Sequence, residues 1–190
     1  MWMNEAIDWV PLISAILGSS ITASLMTHWL SNRKETASRD RVAAYLAIKL
    51  ARLFERFAEA SLNTIDSMER YSASRGSDGE RALSMPKIDE LPEDDDGWTD
   101  LPTSLVARII DFEPNLASIE EHIRDTFDVV GPEEGVHVVE TNCVEMGNKA
   151  LDIAASLRAR YNIPQRELKW DWIESLRGLR GRKLKFRNLY

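Results

Sequence analysis

Apolar positions along the chain form one block without charge, followed by a series of stripes at helical spacing. From Val10 to Leu30 no residue is charged at neutral pH. As a helix this block spans about 31 Å, which matches the hydrocarbon core of a bilayer. Ser14, Gly18, Ser19, Ser20, Thr22, Ser24, Thr27 and His28 dilute its apolarity. Serine and threonine return their hydroxyls to the helix backbone, which softens that cost. Trp2, Trp9 and Trp29 bracket the block, and tryptophan favours the headgroup level, where one side of the ring is apolar and the other donates a hydrogen bond. A surface-lying or core helix and a cleaved signal peptide are the alternatives. A signal peptide wants a basic start, whereas Glu5 and Asp8 stand there.

Beyond the block, Ser31 to Asp40 is polar, carries both signs of charge and lacks Gly and Pro, so the helix continues as a solvated stalk. Val42 to Tyr71 reads as one long helix. Leu46, Leu50, Leu53, Phe57, Ile65, Met68 and Tyr71 fall near a 3.6-residue period, and Tyr45, Ile48 and Phe54 widen the stripe. A stripe that wide calls for contacts on two sides, from two partner helices or from a second subunit. Six Gly and Pro residues then punctuate residues 72–102, which also hold the acidic run Glu93-Asp94-Asp95-Asp96. Leu83, Met85, Ile88, Leu91 and Trp98 make this loop too apolar for a free linker, so part of it is expected to lie on the helices.

Helical spacing resumes after the loop. Thr103–Asp111 forms a short helix with Leu105, Ile109 and Phe112 aligned. Pro114 suits the first position of the next, whose face is Leu116, Ile119, Ile123, Phe127 and Val130. Gly131-Pro132 stops it. A further helix from about Glu133 to Tyr161 carries Val136, Val139, Cys143, Met146, Ala150, Ile153, Leu157 and Tyr161. Asn162 closes it in a left-handed conformation, and Pro164 prevents continuation. A last helix, about Gln165 to Leu179, offers Leu168, Trp172, Leu176 and Leu179. The reading is all-α: a single N-terminal transmembrane helix, then an antiparallel helical bundle of about four helices with a long acidic loop. Its parts are an anchor over 1–31, a stalk over 32–41, the bundle over 42–176 with its loop at 72–102, and a basic tail over 177–190.

Composition adds little to this picture, but charge adds an address. The 44% hydrophobic and 29% charged content is that of a folded chain, and one cysteine, Cys143, leaves no intramolecular disulfide to form. Glu5 and Asp8 precede the anchor, and Arg33 and Lys34 follow it. The positive-inside rule therefore puts the N-terminus outside and the bulk on the cytoplasmic side of a cell inner membrane, crossed once. Ser14 with Gly18, and Ser20 with Ser24, repeat the small-xxx-small spacing by which helices approach in lipid, so these four are candidates for anchor self-association into a homo-oligomer.

Charge is also segregated along the chain. Between Asp78 and Glu134 stand seventeen acidic residues and four basic ones, whereas bases dominate from Lys149 to Tyr190. In the tail, Arg177, Arg180, Arg182, Lys183, Lys185 and Arg187 alternate with Leu179, Leu184, Phe186, Leu189 and Tyr190. Those six bases are candidates for contact with anionic lipid or a protein partner; docking on the chain's own acidic loop is the other option. A net charge of −7 argues against nucleic acid.

Motifs for chemistry do not converge. Glu134-Gly-Val-His137 has the spacing of a metal-binding helix pair, but occurs once, where acids also complement a helix N-terminus. Glu93 to Asp96 lacks the alternation and the glycine of a calcium loop. His28, at the anchor's edge, reads as a headgroup-level residue, and Cys143 as a buried thiol. No cofactor is expected, and no enzymatic activity. The function that follows is a membrane-anchored interaction or scaffold protein, held by lipid around residues 10–30 and serving a protein partner whose identity the sequence leaves open. The alternative is an oligomerising membrane-acting effector, such as a small toxin or defence protein, whose hydroxylated anchor face lines a pore.

Overall fold

The computed structural model describes residues 20–93 and 96–164. The chain divides into two compact units, residues 1–42 and 43–190. Every regular element among the described residues is helical, and none is a strand.

In the first unit the described residues are the opening turns of α1 (Ser20–Ala73). Met26, His28, Trp29 and every residue from Ser31 to Val42 are exposed. A helix polar on all sides is held by its own neighbours rather than by a core. Here Arg39 pairs with Glu35 one turn earlier at 2.8 Å, and the Thr36 hydroxyl donates to the Asn32 carbonyl at 2.8 Å. The Arg33 guanidinium lies 3.9 Å over the Trp29 ring. Residues 32–41 are thus helical and exposed. The expected membrane-spanning segment lies half outside the described residues. Its part from Ser20 onward is helical, and among the described residues no helix is long and apolar enough to cross a membrane.

The second unit is a helical bundle built on the remainder of α1. Leu46, Leu50, Leu53, Phe54, Phe57, Ile65 and Met68 are buried, joined by Ala43, Ala47, Ala51, Ala58 and Leu62. The wide stripe is therefore covered within one chain. Tyr45, read into the stripe, is instead exposed, with the Lys49 ammonium 4.5 Å from its ring.

α1 ends where Arg75 and Gly76 take positive φ and the Gly76 N–H returns to the Tyr71 carbonyl at 2.8 Å. Three helices follow: α2 (Thr103–Ile110), α3 (Phe112–Val129) and α4 (Pro132–Arg160). α3 starts two residues before the expected Pro114, which still sits in the first turn, where a missing N–H costs nothing. Phe112 begins it because its ring is wanted inside: it meets Phe54 and Phe57 edge-on, at centroid distances of 5.0 and 5.1 Å. Val130 and Gly131 are all that separate α3 from α4, so the two pack as a helical hairpin. Val130 is exposed rather than on the buried face of α3.

The end of α4 follows the sequence closely. Asn162 adopts φ 51°, and the Ile163 N–H bonds the Arg158 carbonyl at 2.9 Å, the six-to-one bond of a Schellman closure. Three long helices and one short one thus make the described bundle, and the helix expected over 165–179 lies outside the described residues.

Candidate interaction surface

Glu55 and Arg158 meet inside the bundle, one from the middle of α1 and one from the last turn of α4. Arg158 Nε and Nη2 donate to the two carboxylate oxygens of Glu55 at 2.5 and 2.9 Å. The residues are 4% and 8% exposed. A forked guanidinium matches a carboxylate in this way, and burial makes both bonds necessary, because neither charge has water to turn to. Arg158 Nη1 donates further to the Pro164 carbonyl. One guanidinium thus ties α1, the end of α4 and the point from which the C-terminal segment departs.

Sequence reasoning missed this pair, although a signal for it exists. Ala51, Glu55, Ala58 and Leu62 follow one another at four, three and four residues, all buried, and Glu55 is the one charge in that row. On α4, Gly147, Ala154 and Arg158 stand on one row in the same way.

The loop after α1 lies on the bundle through its backbone as much as through its side chains. The Glu80 N–H donates to the Ser67 hydroxyl at 2.9 Å, and the Met85 N–H to the Glu120 carboxylate at 2.7 Å. Met85 is buried and its sulfur lies 3.6 Å from Cys143 Sγ. Ile88, Leu91 and Trp98 pack against the core, as the sequence led us to expect, while Leu83 is exposed. The Trp98 indole N–H donates to the Pro92 carbonyl at 2.8 Å, and the Tyr161 hydroxyl to the Asp100 carbonyl at 3.1 Å. Arg56 and Asp89 form an exposed pair at 2.9 Å.

Outside this scaffold the surface of α3 is acidic apart from exposed Arg124, which lies one turn from Glu121 and one turn from Asp128. Phe112, Leu116, Ile123 and Thr126 face inward. Glu121, Asp125 and Asp128 follow at four and three residues on the exposed side, and none of them has an ion pair among the described residues. The last turn of α3 holds no base. Val129, its last residue, and Val130, its cap, are 83% and 68% exposed, and Glu133 and Glu134 open α4.

The residues singled out from sequence fall as follows. Ser20 and Ser24 lie in the first turns of α1, while Ser14 and Gly18 lie outside the described residues, as do the six bases Arg177, Arg180, Arg182, Lys183, Lys185 and Arg187. His137 Nδ1 lies 3.9 Å from Glu140, not on Glu134. Among the described residues no three His, Cys, Asp or Glu side chains gather where a metal ion could be held. His28 and His122 are exposed, and Cys143 is fully buried.

Compared with known protein families, with curated proteins and with solved structures, the chain matches none.

Proposed function

We propose that this protein is a membrane-anchored helical interaction module. The segment over 10–30 holds it in an inner membrane by a single crossing, with the N-terminus outside and the bundle in the cytoplasm. The bundle offers charged surfaces to a protein partner, and the tail bases reach for anionic groups of that partner or of the nearby leaflet. Self-association through Ser14, Gly18, Ser20 and Ser24 raises the local density of those surfaces.

The observation that carries this reading is the exposed side of α3. Three carboxylates without an ion pair among the described residues stand beside two bare valines, the mixture of polar and apolar groups that a protein contact uses. The buried ion pair, by contrast, is fully satisfied and engaged in holding helices together. For the anchor, support comes from the uncharged run of Val10 to Leu30 and its charge flanks.

Labelling with an impermeant maleimide tests the topology, in a Cys143→Ala background. Asn4→Cys should react in intact cells, and Ser38→Cys only after permeabilisation. Release of the full chain from membranes by alkaline carbonate would refute the anchor. Loss of crosslinked partner on charge reversal at Asp125 and Asp128 tests the surface.

A further inference from the structure

The second half of α3 breaks two local rules at once. Glu121 and Asp125 are like charges one turn apart, as are Asp125 and Asp128, a spacing at which carboxylates repel. Asp125 and Asp128 also stand at the helix C-terminus, where the backbone dipole disfavours negative charge, and no base is present in the last turn to offset it. Val129 and Val130 are bare beside them. A sequence that spends local stability in this way is organised for something that lies on top.

We infer that the covering element is the chain's own C-terminal tail: residues 177–190 dock on the exposed face of α3, with the bases on Glu121, Asp125 and Asp128 and the apolar side chains on Val129 and Val130. The tail has the matching chemistry, because Arg180, Arg182 and Lys183 are interleaved with Leu179, Leu184 and Phe186. It also has the reach. The C-terminal segment departs at Pro164, held by Arg158, while α3 ends at the opposite end of α4. With 29 residues, α4 is about 43 Å long. Tyr190 lies twenty-six residues past Pro164, up to about 86 Å of extended chain. With 165–179 helical, Arg180 and Arg182 reach about 26 and 32 Å, as far as the middle of α3, while Lys185 and Arg187 reach about 42 and 49 Å, as far as its end. The contact is a resting position that closes the α3 face to the partner proposed above until a more acidic surface takes the tail, and it does not depend on the anchor.

Limited trypsinolysis of the full chain in uncharged detergent tests this, with mass spectrometry reading cleavage after Arg177 to Arg187. Docking should make those cuts slow. Glu121→Gln, Asp125→Asn and Asp128→Asn together should speed them about tenfold, since cleavage tracks the open population. Asp125→Lys with Asp128→Lys should do the same, and adding Arg180→Glu with Arg182→Glu should restore protection at Lys185 and Arg187, whose trypsin sites those changes leave intact. Thermal unfolding gives a second readout. If the tail docks, the triple neutralisation lowers Tm more in the native tail than in a chain that also carries Arg180→Glu and Arg182→Glu. If the face is bare, the two shifts are equal, since the acids lose the same neighbours, Arg124 included, in both. Equal cleavage rates with equal Tm shifts would overturn the inference. So would protection that disappears on dilution, which assigns the tail to a second copy, or protection that appears only with anionic vesicles, which assigns it to lipid.

Discussion

The guanidinium of Arg158 grips both carboxylate oxygens of Glu55 across 103 residues of chain, and both side chains are almost wholly buried. Removing one partner strands the other charge without solvent. Arg158→Met or Glu55→Gln should therefore cost about 3–5 kcal/mol. Replacing both with apolar residues, as in Glu55→Leu with Arg158→Met, should cost much less than the two single changes combined. Chemical denaturation of the four proteins measures this directly. Arg158→Met should also raise amide exchange around Ile163, because the Pro164 carbonyl loses its donor.

The loop from 74 to 102 is predicted to unfold with the bundle, not before it. Met85 is buried against Cys143, and its N–H is accepted by Glu120. Glu120→Ala leaves that part-buried N–H without its acceptor, at about 1–3 kcal/mol. Met85→Ala opens a cavity worth about 2–5 kcal/mol, whereas Met85→Leu should cost under about 1.5. Protease cleavage inside the loop should appear early in the two damaging variants and late in the native chain.

Gly79 and Gly135 are held to glycine by their neighbours. Gly79 has φ 82°, and a Cβ there would drive into the Ser67 carbonyl, so Gly79→Ala should detach the loop end and expose the Glu80 N–H that Ser67 now accepts. At Gly135 a Cβ would come within 2.6 Å of the Phe127 ring. Gly135→Ala should therefore displace that ring and lower Tm, despite alanine's better helix propensity. In a Phe127→Ala background the same substitution should cost far less.

Cys143 is the sole cysteine and is fully buried, so its thiol reports opening of the core. Reaction with an aromatic disulfide reagent should be slow in the native chain and accelerate with denaturant in step with global unfolding. Met85→Ala should increase the native rate, because Met85 lies directly over the sulfur. A fast native rate would place Cys143 near a solvent path.

The all-helical character, the positions of α2, α3 and α4, and the closure at Asn162 are all legible in the sequence. Each rests on local physics: apolar spacing, a Gly-Pro stop, a residue tolerant of left-handed backbone. The apolar loop residues also announce that the loop lies down. What the spacing cannot say is which stripe meets which. A wide stripe on α1 is equally compatible with a second subunit, and only the packed chain shows α2, α3 and α4 covering it. The same limit hid Glu55 and Arg158. A charge within an apolar row is legible, but its partner lies 103 residues away, and long-range pairing is decided by how helices stack. Glu121, Asp125 and Asp128 are plain acids in sequence. They became a candidate surface once the fold showed that nothing described stands against them.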